Sequence, residues 1–353
     1  MLVESGAPGH LPHPFELPTI NTGHELVWLF RQTNKFLTEN PSMASVKIDG
    51  VNTSVKLTTV GDSKQFVIDR GSNKELDLRG VSKLDLQNRF NSTEMAERSG
   101  RVLDILNKAI PSILPELKEL GLVSNPYLLL NIEYVDKGQT NVKEYADSFI
   151  AIHGLLELKP QLKGRRIRRE IPSNPKVMDS LIAKLEPIAS KFGFKVLGSV
   201  IPTKIKEPDF DSILAKKFTI YYSDERKITN TLQKWLDGAE YFPLGKRVQL
   251  QNGKQIKAMG RDIFMKIMDE VKLDDLLLNP EQYNDVINGF FAYMGTMKLG
   301  EELLSCFNSD LGPVQDQEGL VIRGLSLAGG LAGEPFKITG NFMVSGAESK
   351  FNK

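Results

Sequence analysis

The period of the hydrophobic pattern changes along the chain, and this change constrains the fold more than any other feature. Short β-branched or alternating runs, which are typical of strands, occupy residues 45–59, 65–69, 127–135, 148–158, 319–323 and 336–338. Between the earlier and the later runs, stretches with a helical period cover residues 175–192, 224–237, 257–278 and 281–306. This order predicts an α+β fold, in which both ends of the chain form antiparallel sheets and the middle forms helices.

The length of 353 residues is enough for two domains of about 150 residues each. We expect residues 1–160 and 311–353 to form one domain together, and residues 161–310 to form a helix-rich insertion. Short strand-like pieces at 195–201 and 218–222 interrupt the helices of that insertion.

Two further helices are predicted before the insertion. Residues 24–37 have an amphipathic pattern, and residues 93–120 have a helical pattern that Pro111 and Pro115 are expected to interrupt.

The charge balance and the single cysteine exclude several classes of protein. Lysine and arginine number 45, aspartate and glutamate 44, and the formal net charge is +1, so a nucleic-acid site must be a local patch. Cys306, the only cysteine, excludes an intramolecular disulfide and favours a reducing compartment, and we expect its thiol to be buried. No apolar run approaches the roughly 18–20 residues that cross a bilayer. We therefore expect a soluble, cytoplasmic, monomeric protein without a membrane partner.

The segment with the clearest chemical content is Lys47-Ile48-Asp49-Gly50-Val51-Asn52, which lies between two strand-like runs. A lysine amine is a covalent nucleophile only when it is deprotonated, and burial or nearby positive charge lowers its pKa. Gly50 permits a tight turn and a close approach of backbone to phosphate. Taken alone, the segment also fits a surface lysine before an Asp-Gly hairpin.

Other charged residues follow in similar strand contexts. Arg70 comes at the end of the next strand, Glu133 lies in an apolar strand, and His153 lies in another. Glu318 leads into a later strand, and Lys337 lies in the last one. This order of residue types and strand contexts is much less frequent by chance than any one piece.

Together these segments resemble the covalent nucleotidyltransferase superfamily, which contains ATP-dependent DNA ligases, RNA ligases and mRNA capping enzymes. Lys47-x-Asp49-Gly50 is similar to the nucleophile motif, and Arg70-Gly71 to the arginine motif. The later motifs are matched by Glu133, by residues 149–154, by Glu318-Gly319-x-Val321 and by Lys337. The resemblance implies a nucleotidyltransferase core, an ATP-grasp-like ligase fold, built from antiparallel sheets.

The RNA-ligase branch, especially the bacteriophage enzymes, is the more similar one. Asn52 stands where that branch usually has asparagine and DNA ligases usually have arginine. Too few residues follow Lys337 for the oligonucleotide-binding barrel usual in DNA ligases and capping enzymes. A phage origin would place the protein in the host cytoplasm.

Three positions depart from the family pattern. Thr339 stands where a second lysine of the fifth motif is usual, and His153 stands where an aspartate is usual. Ile152 occupies a place that is often aromatic and packs on adenine. Phosphate contact is therefore expected to depend in part on another basic group, such as Lys350 or Lys353.

The resemblance implies a reaction in three steps. Lys47 attacks the α-phosphate of ATP and becomes adenylylated, the AMP passes to a 5′-phosphate, and a 3′-hydroxyl then displaces AMP. Mg²⁺, with Mn²⁺ as an alternative, is expected on Glu318 and Asp49. The remaining ATP contacts are assigned as ribose to Glu133, phosphates to Arg70 and Lys337, and adenine to Val321 and Ile152.

A dense basic run covers residues 163–169, and its arginines are candidates for nucleic-acid contact: Arg165, Arg166, Arg168 and Arg169. A solvated loop at a domain border explains the run equally well. The expected partners are nucleic-acid ends, with RNA favoured over DNA.

The function expected from the resemblance is thus an ATP-dependent polynucleotide ligase that joins 5′-phosphate and 3′-hydroxyl ends. The alternatives are an ATP-dependent DNA ligase without the usual barrel, an mRNA guanylyltransferase, and a non-catalytic nucleic-acid-binding protein. Retention of the charged residues of all the motifs makes the last alternative the weakest.

Overall fold

A computed structural model describes residues 11–60, 63–90, 92–138, 145–159, 166–198, 204–206, 208–221, 227–237, 245–258, 275–326 and 335–340. The chain divides into two compact units: residues 48–200 form the first, and residues 11–47 with 201–353 form the second. These boundaries differ from those of the predicted domains at 1–160 with 311–353 and at 161–310, and that division stays a prediction.

The helices and strands are numbered in chain order. The helices are α1 (Gly23–Glu39), α2 (Glu75–Arg79), α3 (Leu86–Arg89), α4 (Thr93–Glu119), α5 (Pro175–Ala189), α6 (Phe210–Ala215), α7 (Leu232–Asp237) and α8 (Pro280–Leu304). The strands are β1 (Ala44–Lys47), β2 (Val51–Val60), β3 (Ser63–Asp69), β4 (Leu128–Val135), β5 (Ser148–Lys159), β6 (Ile167–Ile171), β7 (Phe194–Leu197), β8 (Lys204–Ile205), β9 (Lys217–Tyr221), β10 (Lys227–Thr231), β11 (Arg247–Gln249), β12 (Gln255–Lys257), β13 (Phe307–Ser309), β14 (Gly312–Pro313), β15 (Gly319–Ile322) and β16 (Phe336–Thr339).

The first unit is built on one sheet with the strand order β3-β2-β4-β5-β6. These neighbours are antiparallel, and β7 adds to β5 in parallel. One face of the sheet is apolar, because every second residue is aliphatic, and it packs with residues of α4 and α5 in a single core that includes Val55, Ile68, Ile132 and Ile152. The opposite face carries the charged side chains described below.

Helix α4 continues through both of its prolines, so the predicted interruption at Pro111 and Pro115 is wrong. A proline removes one backbone donor and normally kinks or ends a helix. Burial of Ile110, Ile113 and Leu117 around the prolines keeps this stretch packed as one helix.

The second unit holds a three-stranded sheet with the order β1-β15-β16, in which both pairs are antiparallel. One row of its side chains is buried in the core: Ala44, Val46, Leu320, Ile322, Phe336 and Ile338. The unit also contains α1, α6, α7 and α8 and the smaller sheets β9-β10, β11-β12 and β8-β13-β14. Helix α1 begins at a capping box, in which Thr22 accepts from the backbone of Glu25 and Glu25 accepts from that of Thr22.

The predicted α+β class with antiparallel sheets is confirmed. The helices predicted at 24–37, 175–192 and 281–306 are also confirmed, with ends that differ by at most three residues from α1, α5 and α8. The helix predicted for 224–237 is partly wrong, because residues 227–231 pair with β9 as β10 and only 232–237 are helical. Most of the helix predicted for 257–278 lies outside the described residues. Its ends are a strand, β12, and a bridge at Leu277.

The single cysteine is buried at the end of α8, as expected. Burial raises the pKa of the Cys306 thiol above its ordinary value. No helix in the described part of the chain is long and apolar enough to span a bilayer.

Candidate active site

The turn at Asp49-Gly50 does not close a hairpin. Strand β1 before it pairs with β15, whereas β2 after it pairs with β3 and β4, so the two flanking strands join different sheets. The hairpin interpretation of this segment is therefore excluded. The division between the two compact units falls within the motif, between Lys47 and Ile48.

In the second unit, Lys47 ends β1 and forms an ion pair with Glu318, the residue just before β15. The side chains are 24% and 15% exposed, so the pair is sheltered but accessible to a ligand. The register sets Lys47 opposite Gly319, and Val321 opposite Lys337. Because directly opposed and alternate residues share a face of a sheet, Lys47, Val321 and Lys337 lie on the same face.

The surroundings of Lys337 on this face shift the pKa of its amine. Burial, followed by the nearby charge of Lys47, lowers the pKa of the Lys337 amine, although Glu318 and Glu16 act in the opposite direction. This face therefore presents two lysine amines beside the partly exposed carboxylate of Glu318, and paired amines of this kind suit an anionic ligand such as a phosphate.

Gly319 permits the close packing of β15 on β16. Its φ of 147° is unfavourable for residues with a side chain, and a Cβ atom at this position would lie 2.0 Å from the carbonyl oxygen of Ile338. The glycine next to Glu318 is therefore required by backbone geometry, independently of any ligand.

We expect Gly319→Ala to lower the free energy of unfolding of the second unit by about 2–3 kcal/mol, through backbone strain and overlap with β16. Urea denaturation followed by tryptophan fluorescence measures this, since Trp235 is fully buried in that unit. Gly245→Ala is the control, because its added Cβ would meet nothing within 4 Å. Equal midpoints for both variants and the wild type would contradict the packing described here.

In the first unit, the backbone of the Asp49-Gly50 turn is held by two buried groups. The N–H of Gly50 donates to Glu133 Oε1 at 3.0 Å, and the N–H of Asp49 donates to the hydroxyl of Tyr145 at 3.0 Å. A Cβ at Gly50 would lie 2.8 Å from the carbonyl oxygen of Tyr134, so only glycine allows this approach to β4. Sequence reasoning missed Tyr145, because 96 residues separate it from Asp49 and no local pattern connects them.

His153 also reaches Glu133, with 3.1 Å between His153 Nε2 and Glu133 Oε2. The β4–β5 register pairs Asn131 with Gly154 and Ile132 with Ile152, which leaves His153 as an extra residue in β5. Such a bulge redirects a side chain.

The other predicted ATP contacts in the first unit are more scattered. Asn52 is exposed on β2 and is paired in register with Glu133. Ile152 is 1% exposed in the core under α4 and α5, on the opposite face from Glu133, so its predicted contact with adenine does not fit this placement. The residue of β5 that lies opposite Glu133, and on the same face of the sheet, is Ala151. Arg70 lies with its guanidinium 5.7 Å from the ring of Phe90.

Arg166, from the basic run, is buried in an ion pair rather than exposed to solvent. Its guanidinium binds both carboxylate oxygens of Asp69, one of them at 2.8 Å. Lys56 donates to the same carboxylate at 2.9 Å and to the carbonyl oxygens of Asp77 and Leu78. Asp69 also accepts the N–H of Gly71 at 2.9 Å, which fixes the turn that carries Arg70.

Of the other three arginines of the basic run, the structure describes the side chain of Arg169. Arg169 is exposed on β6. Arg165 and the side chain of Arg168 lie outside the described residues. Of the four arginines assigned to nucleic acid, Arg166 is thus occupied within the protein, and Arg169 is free to meet a phosphate.

No group of three or more His, Cys, Asp and Glu side chains among the described residues is arranged to hold a metal ion. Glu318 supplies one carboxylate beside Lys47, and Asp49 is 7% exposed in the first unit.

No protein-family model, curated protein or solved structure matches this chain. Functional assignment therefore rests on the sequence pattern and on the contacts described above.

Proposed function

We propose that this protein is an ATP-dependent polynucleotide ligase of the covalent nucleotidyltransferase type, with RNA ends favoured over DNA ends. The observation that carries the proposal is the ion pair between Lys47 and Glu318 on a sheet face that also bears Lys337. The sequence pattern around these residues, with Asp49-Gly50 and Glu133, supports the same chemistry.

In the proposed first step, Lys47 Nζ attacks the α-phosphorus of ATP. An N–P bond forms, the P–O bond to pyrophosphate breaks, and the amine releases its protons to solvent. Displacement at phosphorus needs positioning and stabilisation of charge more than covalent assistance, and the cationic Lys337 supplies that charge close to Lys47. The AMP then passes to a 5′-phosphate, and a 3′-hydroxyl displaces it.

The resemblance assigns the other roles in the reaction. Glu133 accepts hydrogen bonds from the ribose hydroxyls, and Arg70 contacts phosphate through a turn that Asp69 fixes. Val321 provides an apolar surface for adenine on the same sheet face as Lys47.

A divalent metal fits the donors that are present. Mg²⁺ commonly binds through one or two carboxylates together with substrate phosphates, and it keeps several water ligands. Glu318 would therefore be a sufficient protein ligand for an ion that arrives with ATP. On binding the ion, Glu318 would release its ion pair with Lys47. When bound, the metal neutralises charge on the triphosphate.

Incubation with α-labelled ATP and Mg²⁺, followed by denaturing electrophoresis, tests the proposal. We expect a labelled protein whose bond is labile to acid and stable to alkali, as a phosphoramidate is. Label from GTP alone would favour the guanylyltransferase alternative, and no label from either nucleotide would refute a nucleotidyltransferase. Sealing of nicks with RNA or DNA at the 3′-hydroxyl end then separates the two ligase types.

A further inference from the structure

The carboxylate of Glu133 connects three segments of the first unit that are distant in sequence. Its Oε1 accepts the N–H of Gly50, and its Oε2 lies 3.1 Å from Nε2 of His153. The side chains of His153 and Glu133 are 12% and 10% exposed, so solvent cannot easily replace these contacts. Both oxygens of the carboxylate are therefore fixed by the protein.

The direction of the second hydrogen bond follows from chemistry. An ionised carboxylate only accepts hydrogen bonds, so in the contact with ionised Glu133 the donor is His153 Nε2. A hydrogen bond to a charged group is worth more than one between neutral groups. His153 therefore restricts the rotamer of Glu133.

The backbone of β5 is shaped to make this contact. His153 is the extra residue of the β4–β5 ladder, and the bulge lets both Ile152 and Leu155 enter the helix-facing core on either side of it. Gly154, the next residue, has a φ of 134°, which residues with a side chain rarely adopt. Bulges of this kind commonly redirect a side chain next to a functional site.

We propose that His153 is a positioning residue, which orients Glu133 so that its carboxylate holds the N–H of Gly50 and fixes the turn that follows Lys47. This inference deepens the proposed function and rests on it for its catalytic consequence. The lone pairs of Glu133 that His153 and Gly50 leave unused are those available to ribose hydroxyls.

The first test needs no nucleotide. We expect His153→Phe to speed the hydrogen exchange of the Gly50 amide about tenfold, measured by NMR, because Glu133 is no longer held in place. His153→Gln, whose amide can still donate to Glu133, should keep an exchange rate close to that of the wild type. His24→Phe is the control, since His24 is exposed on α1. Unchanged Gly50 exchange in a folded His153→Phe protein would overturn the inference, even if the protein proves not to bind ATP.

The second test separates positioning from a general loss of stability. We expect His153→Phe to reduce the rate of adduct formation at subsaturating ATP about tenfold, and His153→Gln to recover most of it. In a Glu133→Gln background, His153→Phe should add less than about a twofold loss, because His153 acts through the carboxylate. If the rate losses of His153→Phe and Glu133→Gln multiply when the two substitutions are combined, the inference is overturned.

The two tests also separate this inference from the proposed function. If the wild type forms no adduct with ATP, the proposed function fails, while the exchange of Gly50 still decides the role of His153. If the wild type forms the adduct and all His153 variants match it, the inference fails and the proposed function stands. Should His153→Phe not fold, Gly154→Ala, which strains the bulge at φ 134°, is expected to give the same exchange and rate changes.

Discussion

Lys47→Ala is expected to form no labelled adduct with ATP and to join no ends, because in the proposed reaction Lys47 supplies the attacking nitrogen. The loss should be complete within detection, since a covalent step cannot proceed without its nucleophile. Lys47→Arg should be equally inactive, because a guanidinium keeps the charge beside Glu318 but does not deprotonate at neutral pH. Gel detection of the α-labelled protein measures both variants.

The control for this experiment is Lys35→Ala, which removes an exposed lysine from α1 of the same unit. Its adduct should form at the rate of the wild type. Lys47 and Glu318 are both partly exposed, so loss of their ion pair should change the thermal midpoint only slightly. Label retained by a folded Lys47→Ala protein would show that another residue is the nucleophile.

Asp69→Ala is expected to destabilise the first unit by about 3–5 kcal/mol, because it leaves two buried cations without their carboxylate. The side chain of Asp69 is 1% exposed, that of Arg166 is 4% exposed and that of Lys56 is 10% exposed. Urea denaturation followed by far-ultraviolet circular dichroism, with hydrogen exchange of α4 to identify the unit, measures the loss.

Two further variants make that measurement specific. Lys83→Ala breaks an ion pair with Asp104 on the surface of the same unit, where the side chains are 57% and 40% exposed, and it should cost less than about 1 kcal/mol. Asp69→Asn keeps the shape of the side chain but not its charge, and its loss of stability should lie between those of Asp69→Ala and Lys83→Ala. A midpoint for Asp69→Ala equal to that of Lys83→Ala would mean that the buried cluster does not stabilise the unit.

The cluster around Asp69 also constrains the shape of the sheet. Asp69 ends β3, and Arg166 precedes β6 by one residue, so the contact joins the two ends of the order β3-β2-β4-β5-β6. In a flat sheet those strands would lie about 19 Å apart, at about 4.8 Å per strand. Contact at 2.8 Å therefore requires the sheet to curl over its polar face.

The positions of most strands and helices could be predicted from the sequence, because their signals are local. The alternation in 45–59 and the amphipathic pattern in 24–37 locate β1, β2 and α1 within a few residues. The register that sets Lys47 beside Glu318 is not a local property, and only the resemblance to a family suggested it.

What the sequence could not predict depends on contacts between distant residues. Arg166 and Asp69 are 97 residues apart, and a run of arginines gives no sign that one member is buried. Ile152 alternates with Ile150 into the core, and the bulge at His153 changes the alternation only for the residues after it, such as Leu155. The burial of Arg166 depends on tertiary packing that no pattern along one segment shows, whereas the adenine role of Ile152 came from the family resemblance and not from the alternation of its strand.

The buried thiol at the end of α8 has a practical consequence for studying the chain. Alkylating reagents attack the thiolate, and burial raises the pKa of Cys306, the only cysteine, which lowers its thiolate fraction below that of an exposed cysteine. A cysteine introduced at an exposed position such as Lys254 should therefore accept a fluorophore or spin label selectively. Spectroscopic probes can be attached without first removing the native sulfur.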